Sequence, residues 1–154
     1  EKGALRLVYR VTGKHTGTEG FSRLGAGAQL DLLGPLGNGF PLEEAEGKKV
    51  FLMGGGIGVP PMLETMKQLH AQKMAVLGYR DELFLDKEFA KNGDVYIATE
   101  DGSAGTKGNV MDAIRENALE ADVIFACGPK PMLRAIKAYG SPWKSAWHAE
   151  SVHV

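Results

Sequence analysis

Gly54-Gly55-Gly56-Ile57-Gly58 sets four glycines in five residues, directly after the apolar run Val50–Met53 and directly before Val59-Pro60-Pro61. Beyond the prolines, apolar residues at Met62, Leu63, Met66 and Leu69 share one helical face, and proline suits a first turn because its missing N–H would be unpaired there. Strand, glycine turn and helix start together make an anion site. Backbone N–H groups and the positive end of the helix dipole converge on the turn, and the missing side chains let a phosphate come close. Gly54, Gly55, Gly56, Ile57, Gly58 and Pro60 are therefore candidate phosphate-binding residues. The spacing is neither Gly-x-Gly-x-x-Gly nor Gly-x-x-x-x-Gly-Lys, so neither common nucleotide fingerprint applies. The alternative is a glycine turn with a purely structural role.

Two further stretches carry reactive or hydrogen-bonding groups. Thr99-Glu100-Asp101-Gly102-Ser103 follows a strand-like run and places two acids side by side. Asp-Gly-Ser is strong turn chemistry; the functional alternative has these groups accepting bonds from ribose hydroxyls or a nicotinamide amide while the loop covers a nucleotide. Cys127-Gly128-Pro129 ends another apolar run. A lone cysteine commonly serves as a small buried hydrophobe, yet one at the end of a strand, before Gly-Pro, stands where ligands bind. The histidines His15, His70, His148 and His153 lack metal-ligand spacing, so no metal site is expected from them. No Gly-x-Ser-x-Gly elbow is present for a hydrolase. Arg80, Lys107 and Lys130 offer cations for phosphate, as any surface does.

The elements that must position these groups fall into two parts. In the first, Leu5–Val11 and Gln29–Leu33 read as strands, separated by a polar loop over Gly13–Gly20. Two or three strands cannot close a barrel, so this part is expected to be the remnant of an antiparallel domain, ending in the acidic linker Leu42–Gly47. From Val50 onward, candidate strands (Val50–Met53, Met74–Tyr79, Val95–Thr99, Asp122–Cys127, Ser145–Ala149) alternate with candidate helices (Pro60–Ala71, Glu82–Lys91, Val110–Asn117, Met132–Tyr139). Gly93 stands where a helix C-cap would, and Asn109 where an N-cap would. Apolar strands alternating with helices imply an α/β fold with a doubly wound parallel sheet, whose ligands bind beyond the carboxyl ends of the strands. The expected domains are residues 1–46 and 47–154.

Composition narrows the function classes. The 154 residues are 44% hydrophobic, enough for one core, and 18 Lys+Arg against 19 Asp+Glu give no basic surface for nucleic acid or membrane. No apolar run reaches the length of about 20 residues that a membrane span needs, and a cytoplasmic location is expected. The single cysteine rules out a disulfide framework. The chain starts at Glu1 without methionine, directly before a strand-like run, and so reads as a piece of something longer.

Taken in order, Gly34-Pro35-Leu36-Gly37-Asn38-Gly39-Phe40, Gly54 to Pro61, Thr99 to Ser103 and Cys127-Gly128-Pro129-Lys130-Pro131-Met132 resemble the ferredoxin-reductase-like flavoproteins. They are most similar to the electron-transfer subunit family of two-subunit, NAD-dependent dihydroorotate dehydrogenases. The resemblance implies a FAD-binding antiparallel barrel followed by an NAD-binding parallel-sheet domain. It places FAD contacts at Val8, Tyr9, Arg10, Gly17 and Thr18, the NAD pyrophosphate at the glycine turn, and Cys127, with Gly128 and Pro129, near the nicotinamide ring. It further implies hydride transfer between nicotinamide and flavin, electron passage through a two-iron two-sulfur cluster, and a partner subunit that carries FMN and oxidises dihydroorotate. The family's Arg-Pro-x-Ser flavin motif would precede Glu1. Its cysteine-rich cluster segment would follow Val154, with Ala149-Glu150-Ser151 resembling the lead-in. Cluster ligands are thus not expected among these residues, and the piece alone is expected to be inactive. Two other readings are a small subunit of a ferredoxin:NADP or sulfide dehydrogenase complex, and a nucleotide-binding module without turnover. Asp81 and Glu82 favour NADH by repelling a 2′-phosphate, while Arg80 favours NADPH.

Overall fold

The computed structural model describes residues 3–34, 36–80, 82–140 and 146–151, with Gly140 and 146–151 described by backbone alone. Pro35, Asp81, Ser145 and the run 152–154, all touched by the sequence expectations, lie outside the described residues. The chain divides into two compact units, Glu1–Gly39 and Phe40–His153.

In the second unit the central apolar runs become strands because residues on both of their faces are buried. β1 (Lys49–Gly55), β2 (Gln72–Tyr79), β3 (Asp94–Thr99), β4 (Thr106–Lys107), β5 (Val123–Gly128) and β6 (Ala146–Ser151) form one sheet in the order β4-β3-β2-β1-β5-β6. Each pairing is parallel, and Gly54 of β1 stands between Leu77 of β2 and Cys127 of β5. On one face, Val50, Leu52, Ala75, Leu77, Phe125 and Cys127 pack against Met62, Leu63 and Met66 of α2 (Val59–Gln68) and Phe89 of α3 (Asp86–Phe89). On the other, Phe51, Met53, Val76, Ile124 and Ala126 pack against α4 (Val110–Glu116) and α5 (Lys130–Gly140), through Val110, Ile114, Leu133 and Ile136. Both faces are covered, so continuous apolar runs are the stable choice for the central strands. The doubly wound parallel sheet expected from the sequence is the observed fold.

Several local expectations are corrected. Among the described residues of the first unit, neither Leu5–Val11 nor Gln29–Leu33 is a strand, and no antiparallel ladder is present. A strand requires a hydrogen-bonded neighbour, and these runs have none there. The polar loop instead holds a helix, α1 (Gly17–Ser22), because Thr16 caps it by accepting from the Glu19 N–H at 3.2 Å. The division between the units falls earlier than the acidic stretch, since Phe40, Leu42 and Ala45 pack into the core of the second unit. The helix expected at Glu82–Lys91 shrinks to α3. Tyr79 donates its hydroxyl proton to the Phe84 carbonyl at 2.8 Å, and Leu85 sits in the left-handed region at φ 64°, so the segment before Asp86 docks as coil. Gly93 is no C-cap; a Cβ there would meet Met66 Cε at 2.6 Å and the Lys73 carbonyl oxygen at 2.9 Å. Asn109 does cap α4, accepting from Met111 N–H at 2.8 Å while Asp112 accepts from Asn109 N–H at 2.9 Å. The short strand β4 carries too little pattern to be read from sequence.

Candidate functional site

The strand order reverses direction between β1 and β5: β2 and β3 lie to one side of β1, β5 and β6 to the other. At such a switch point the connections leave in opposite directions and open a crevice beyond the strand ends, where open α/β sheets bind ligands. Two of the sequence-predicted stretches meet there. The residue after β1 begins the tight turn Gly56–Gly58 that leads into α2, and β5 ends on Cys127-Gly128.

Protein packing by itself excludes a side chain at several of these glycines, the structural alternative that stands beside an approaching phosphate. A Cβ on Gly58 would collide with the Cys127 carbonyl, and one on Gly54 would lie 3.0 Å from Val59 Cα. A Cβ on Gly55 would lie 2.6 Å from Met132 Sδ and 3.2 Å from Pro129 Cδ, and Gly128 is closed off by the same methionine. Gly56 is the one residue of the turn in the left-handed region, at φ 53°. Gly54, Gly55 and Gly58 are buried, whereas Gly56, Ile57 and Pro60 are half-buried and form the accessible surface of the turn. Pro60 and Pro61 supply no N–H, and Val59 N–H is bonded to the Gly56 carbonyl. The donors that the turn can offer an anion are thus those of the glycine segment itself, at the N-terminus of a ten-residue helix without a side-chain cap.

Cys127 is 2% exposed and belongs to the core cluster between the sheet and α2. Its carbonyl, held against Gly58, contributes to the crevice floor; its thiol packs in the apolar layer. Gly128 is buried and Pro129 exposed at the start of α5. Met132, absent from the sequence-predicted set, closes the space between Gly55 and Gly128. Its signals in the sequence were its place at the end of the Cys127–Met132 run and in the first turn of the helix that follows Cys-Gly-Pro.

Two strands away from β1, the loop after β3 is organised by its own side chains. The buried Thr99 hydroxyl donates to the Ala104 carbonyl at 2.8 Å and accepts from Ala104 N–H at 3.1 Å. Asp101 accepts from Ser103 N–H at 3.0 Å and from its hydroxyl at 2.7 Å, and these bonds hold its carboxyl below the usual carboxylate range. Gly102 takes φ 79°. Asp-Gly-Ser therefore does build a turn, as its chemistry dictates. Glu100 alone of the two acids points its carboxylate away from that turn, 4.0 Å from Arg80 Nε.

The residues matched to FAD contacts lie in the first unit. Val8, Tyr9, Arg10 and Gly17 are exposed and Thr18 half-buried; the Tyr9 ring sits 5.6 Å from that of Phe21, and the Thr18 hydroxyl accepts from Thr12 N–H at 3.2 Å. They offer an open surface.

The chain is 50% identical, over 137 residues, to the dihydroorotate dehydrogenase B (NAD(+)) electron transfer subunit of Geobacillus sp. (strain WCH70), covering 85% of this chain and 52% of that one. The subunit of the same name from Bacillus caldolyticus is 48% identical over 142 residues, covering 88% of this chain and 54% of that one. This chain is a homologue of these electron transfer subunits. It spans about half the length of the curated relatives it matches. No protein-family model matches it. Among solved structures, an NADH-dependent reduced ferredoxin-NADP oxidoreductase, described for flavin-based electron bifurcation, superposes with a TM-score of 0.73 at 26% identity, covering 95% of this chain and 55% of that one. The C-terminal domain of a hydrogenase from Pyrococcus furiosus shares the fold, with a TM-score of 0.53 at 13% identity, covering 76% of this chain and 100% of that one. Among the described residues, no helix is long and apolar enough to cross a membrane.

Proposed function

We propose that this chain carries the NAD(H)-binding part of a flavoprotein electron-transfer subunit. In the assembled enzyme, an FMN-containing subunit that oxidises dihydroorotate, in cytoplasmic pyrimidine biosynthesis, would release the electrons; a two-iron two-sulfur cluster would connect it to FAD, and FAD would reduce NAD+ to NADH. The observation that carries this reading is the meeting of the glycine turn with Cys127–Pro129 at the switch point, in a homologue of electron transfer subunits. The crevice fits a dinucleotide: Gly56 and Ile57 present backbone to a pyrophosphate, and the α2 dipole favours its charge. Val8, Tyr9, Arg10, Gly17 and Thr18 offer one wall of a flavin site and do not enclose a ring. The cluster does not fit: it takes about four ligands, mostly cysteine, and Cys127 is the chain's single, buried cysteine. When bound, nicotinamide and flavin supply the redox chemistry; the chain binds and orients them. Thr99, Glu100, Asp101 and Gly102 edge the crevice on the ribose side, and Cys127, with Gly128 and Pro129, floors it near the nicotinamide.

Calorimetric titration of the chain with NADH tests the site. Saturable binding, lost in Gly56→Val with unchanged circular dichroism, is expected; no binding by the parent chain overturns the reading. In a flavin-loaded complex containing this chain, Cys127→Ala slows flavin reduction by NADH if the cysteine lies near the nicotinamide, and leaves it unchanged if its role is packing alone. The likeness to the ferredoxin-NADP oxidoreductase favours a second reading, a subunit of a complex of that type, and the identity of the electron acceptor separates the two.

A further inference from the structure

We propose that Met132 is an oxidation-sensitive closure of the crevice, whose conversion to the sulfoxide by a peroxide weakens the hold on the dinucleotide; the ligand in this statement rests on the dinucleotide reading above. The chain has six methionines. Met53, Met62 and Met66 are fully buried, Met74 and Met111 are 7% and 4% exposed, and Met132 alone is half-buried. It stands in the first turn of α5, on the face of the sheet opposite α2, with its thioether laid across the ends of β1 and β5. Its Sδ lies 2.6 Å from where a Cβ on Gly55 would stand and 3.2 Å from where one on Gly128 would. The sulfur thus rests on bare backbone at the switch point, beside Gly56 and the accessible surface of the turn.

Susceptibility to oxidation follows exposure, so a peroxide reaches Met132 before the five core methionines and before the buried Cys127. The sulfur lone pair attacks one oxygen of hydrogen peroxide, the S–O bond forms as the O–O bond breaks, and the second oxygen leaves with both protons as water. The thioether is oxidised and the peroxide reduced. The product is larger and carries a strong acceptor oxygen, which the close contact with Gly55 and Gly128 leaves no room for. The flexible, unbranched side chain therefore swings toward the turn. There its oxygen takes an N–H of the glycine segment that a pyrophosphate would otherwise take, a competition worth about three- to tenfold in affinity.

The experiment treats the chain with limited hydrogen peroxide and locates the added oxygen by mass spectrometry of proteolytic fragments. NADH is titrated calorimetrically before and after, with circular dichroism at each stage. Oxygen is expected at Met132 first, with the Kd for NADH raised about three- to tenfold and the dichroism unchanged. Methionine sulfoxide reductases of both stereospecificities then restore the original Kd, whereas a thiol reductant alone does not, which excludes a sulfenic acid at Cys127. Met132→Leu, a change that keeps the volume, is read against its own untreated form and shows no shift with peroxide. Oxygen appearing first on another residue, an unmoved Kd with Met132 oxidised, a chain unfolded by that oxidation, or an equal shift in Met132→Leu overturns the proposal while the dinucleotide site stands. A parent chain that binds no NADH before treatment overturns both.

Discussion

At the residue scale, the glycines around the crevice differ in what they exclude, and substitution separates them. Gly58 faces backbone, the Cys127 carbonyl, which cannot yield without moving β5. Gly55 faces the thioether of Met132, which can swing aside. Gly58→Ala is expected to cost about 2–3 kcal/mol and Gly55→Ala about 1 kcal/mol, measured by urea denaturation. Met132→Ala should recover most of the Gly55→Ala loss and none of the Gly58→Ala loss; equal recovery would show that the methionine does not fill that space. Tyr79 gives a second prediction. Burial, with the nearby Asp86 carboxylate second, raises its phenol well above the ordinary value near 10. The folded chain then keeps a proton that the unfolded chain releases, so this contribution is complete below about pH 10 and lost as pH rises above it, at up to about 1.4 kcal/mol per pH unit. Tyr79→Phe should flatten the loss between pH 9 and 11, while costing about 1 kcal/mol at neutral pH for the hydroxyl bond to Phe84.

At the scale of elements, the helices that cover the sheet are fixed by short-range devices as much as by packing. The capping box of Asn109 and Asp112 starts α4 directly after a strand edge, and it needs Gly108 at φ 126°, because a Cβ there would strike the Asp112 carboxylate. Asn109→Ala should lower stability by about 1 kcal/mol, read from the denaturation midpoint. At the far end of α2, the Lys73 ammonium donates to the carbonyls of Met66 at 2.8 Å and Leu69 at 3.0 Å, satisfying acceptors the helix leaves open.

At the scale of the molecule, the two core clusters consist only of residues from Phe40 onward, while α1 buries none of its residues. A chain beginning at Phe40 should therefore unfold cooperatively with nearly the same midpoint as the whole; a midpoint lower by more than about 5 °C, a shift of roughly 1 kcal/mol, would show that the first 39 residues contribute to the core. The same division predicts a colourless protein. Its proposed flavin contacts are exposed, and its one thiol is buried in the apolar layer. A flavin band near full occupancy, or stoichiometric iron, in the purified chain would contradict this.

The sequence by itself determined the alternation of strand and helix from Val50 onward, because each buried strand had to be apolar and each helix had to show a 3.6-residue face. It likewise placed the turn at Gly54–Gly58 and the cap at Asn109, both of which are local chemistry. Tertiary structure decided what local pattern cannot encode. Leu5–Val11 carries strand-like alternation and is no strand, since pairing needs a neighbour. Glu82–Leu85 carries helical residues and docks as coil, since the Tyr79 hydroxyl claims the Phe84 carbonyl. The strand order that brings residue 58 against residue 127 set the site, and with it the reason for the glycines. A residue type records that no side chain is tolerated, and only the fold shows that the Cys127 carbonyl and the Met132 thioether already occupy the space.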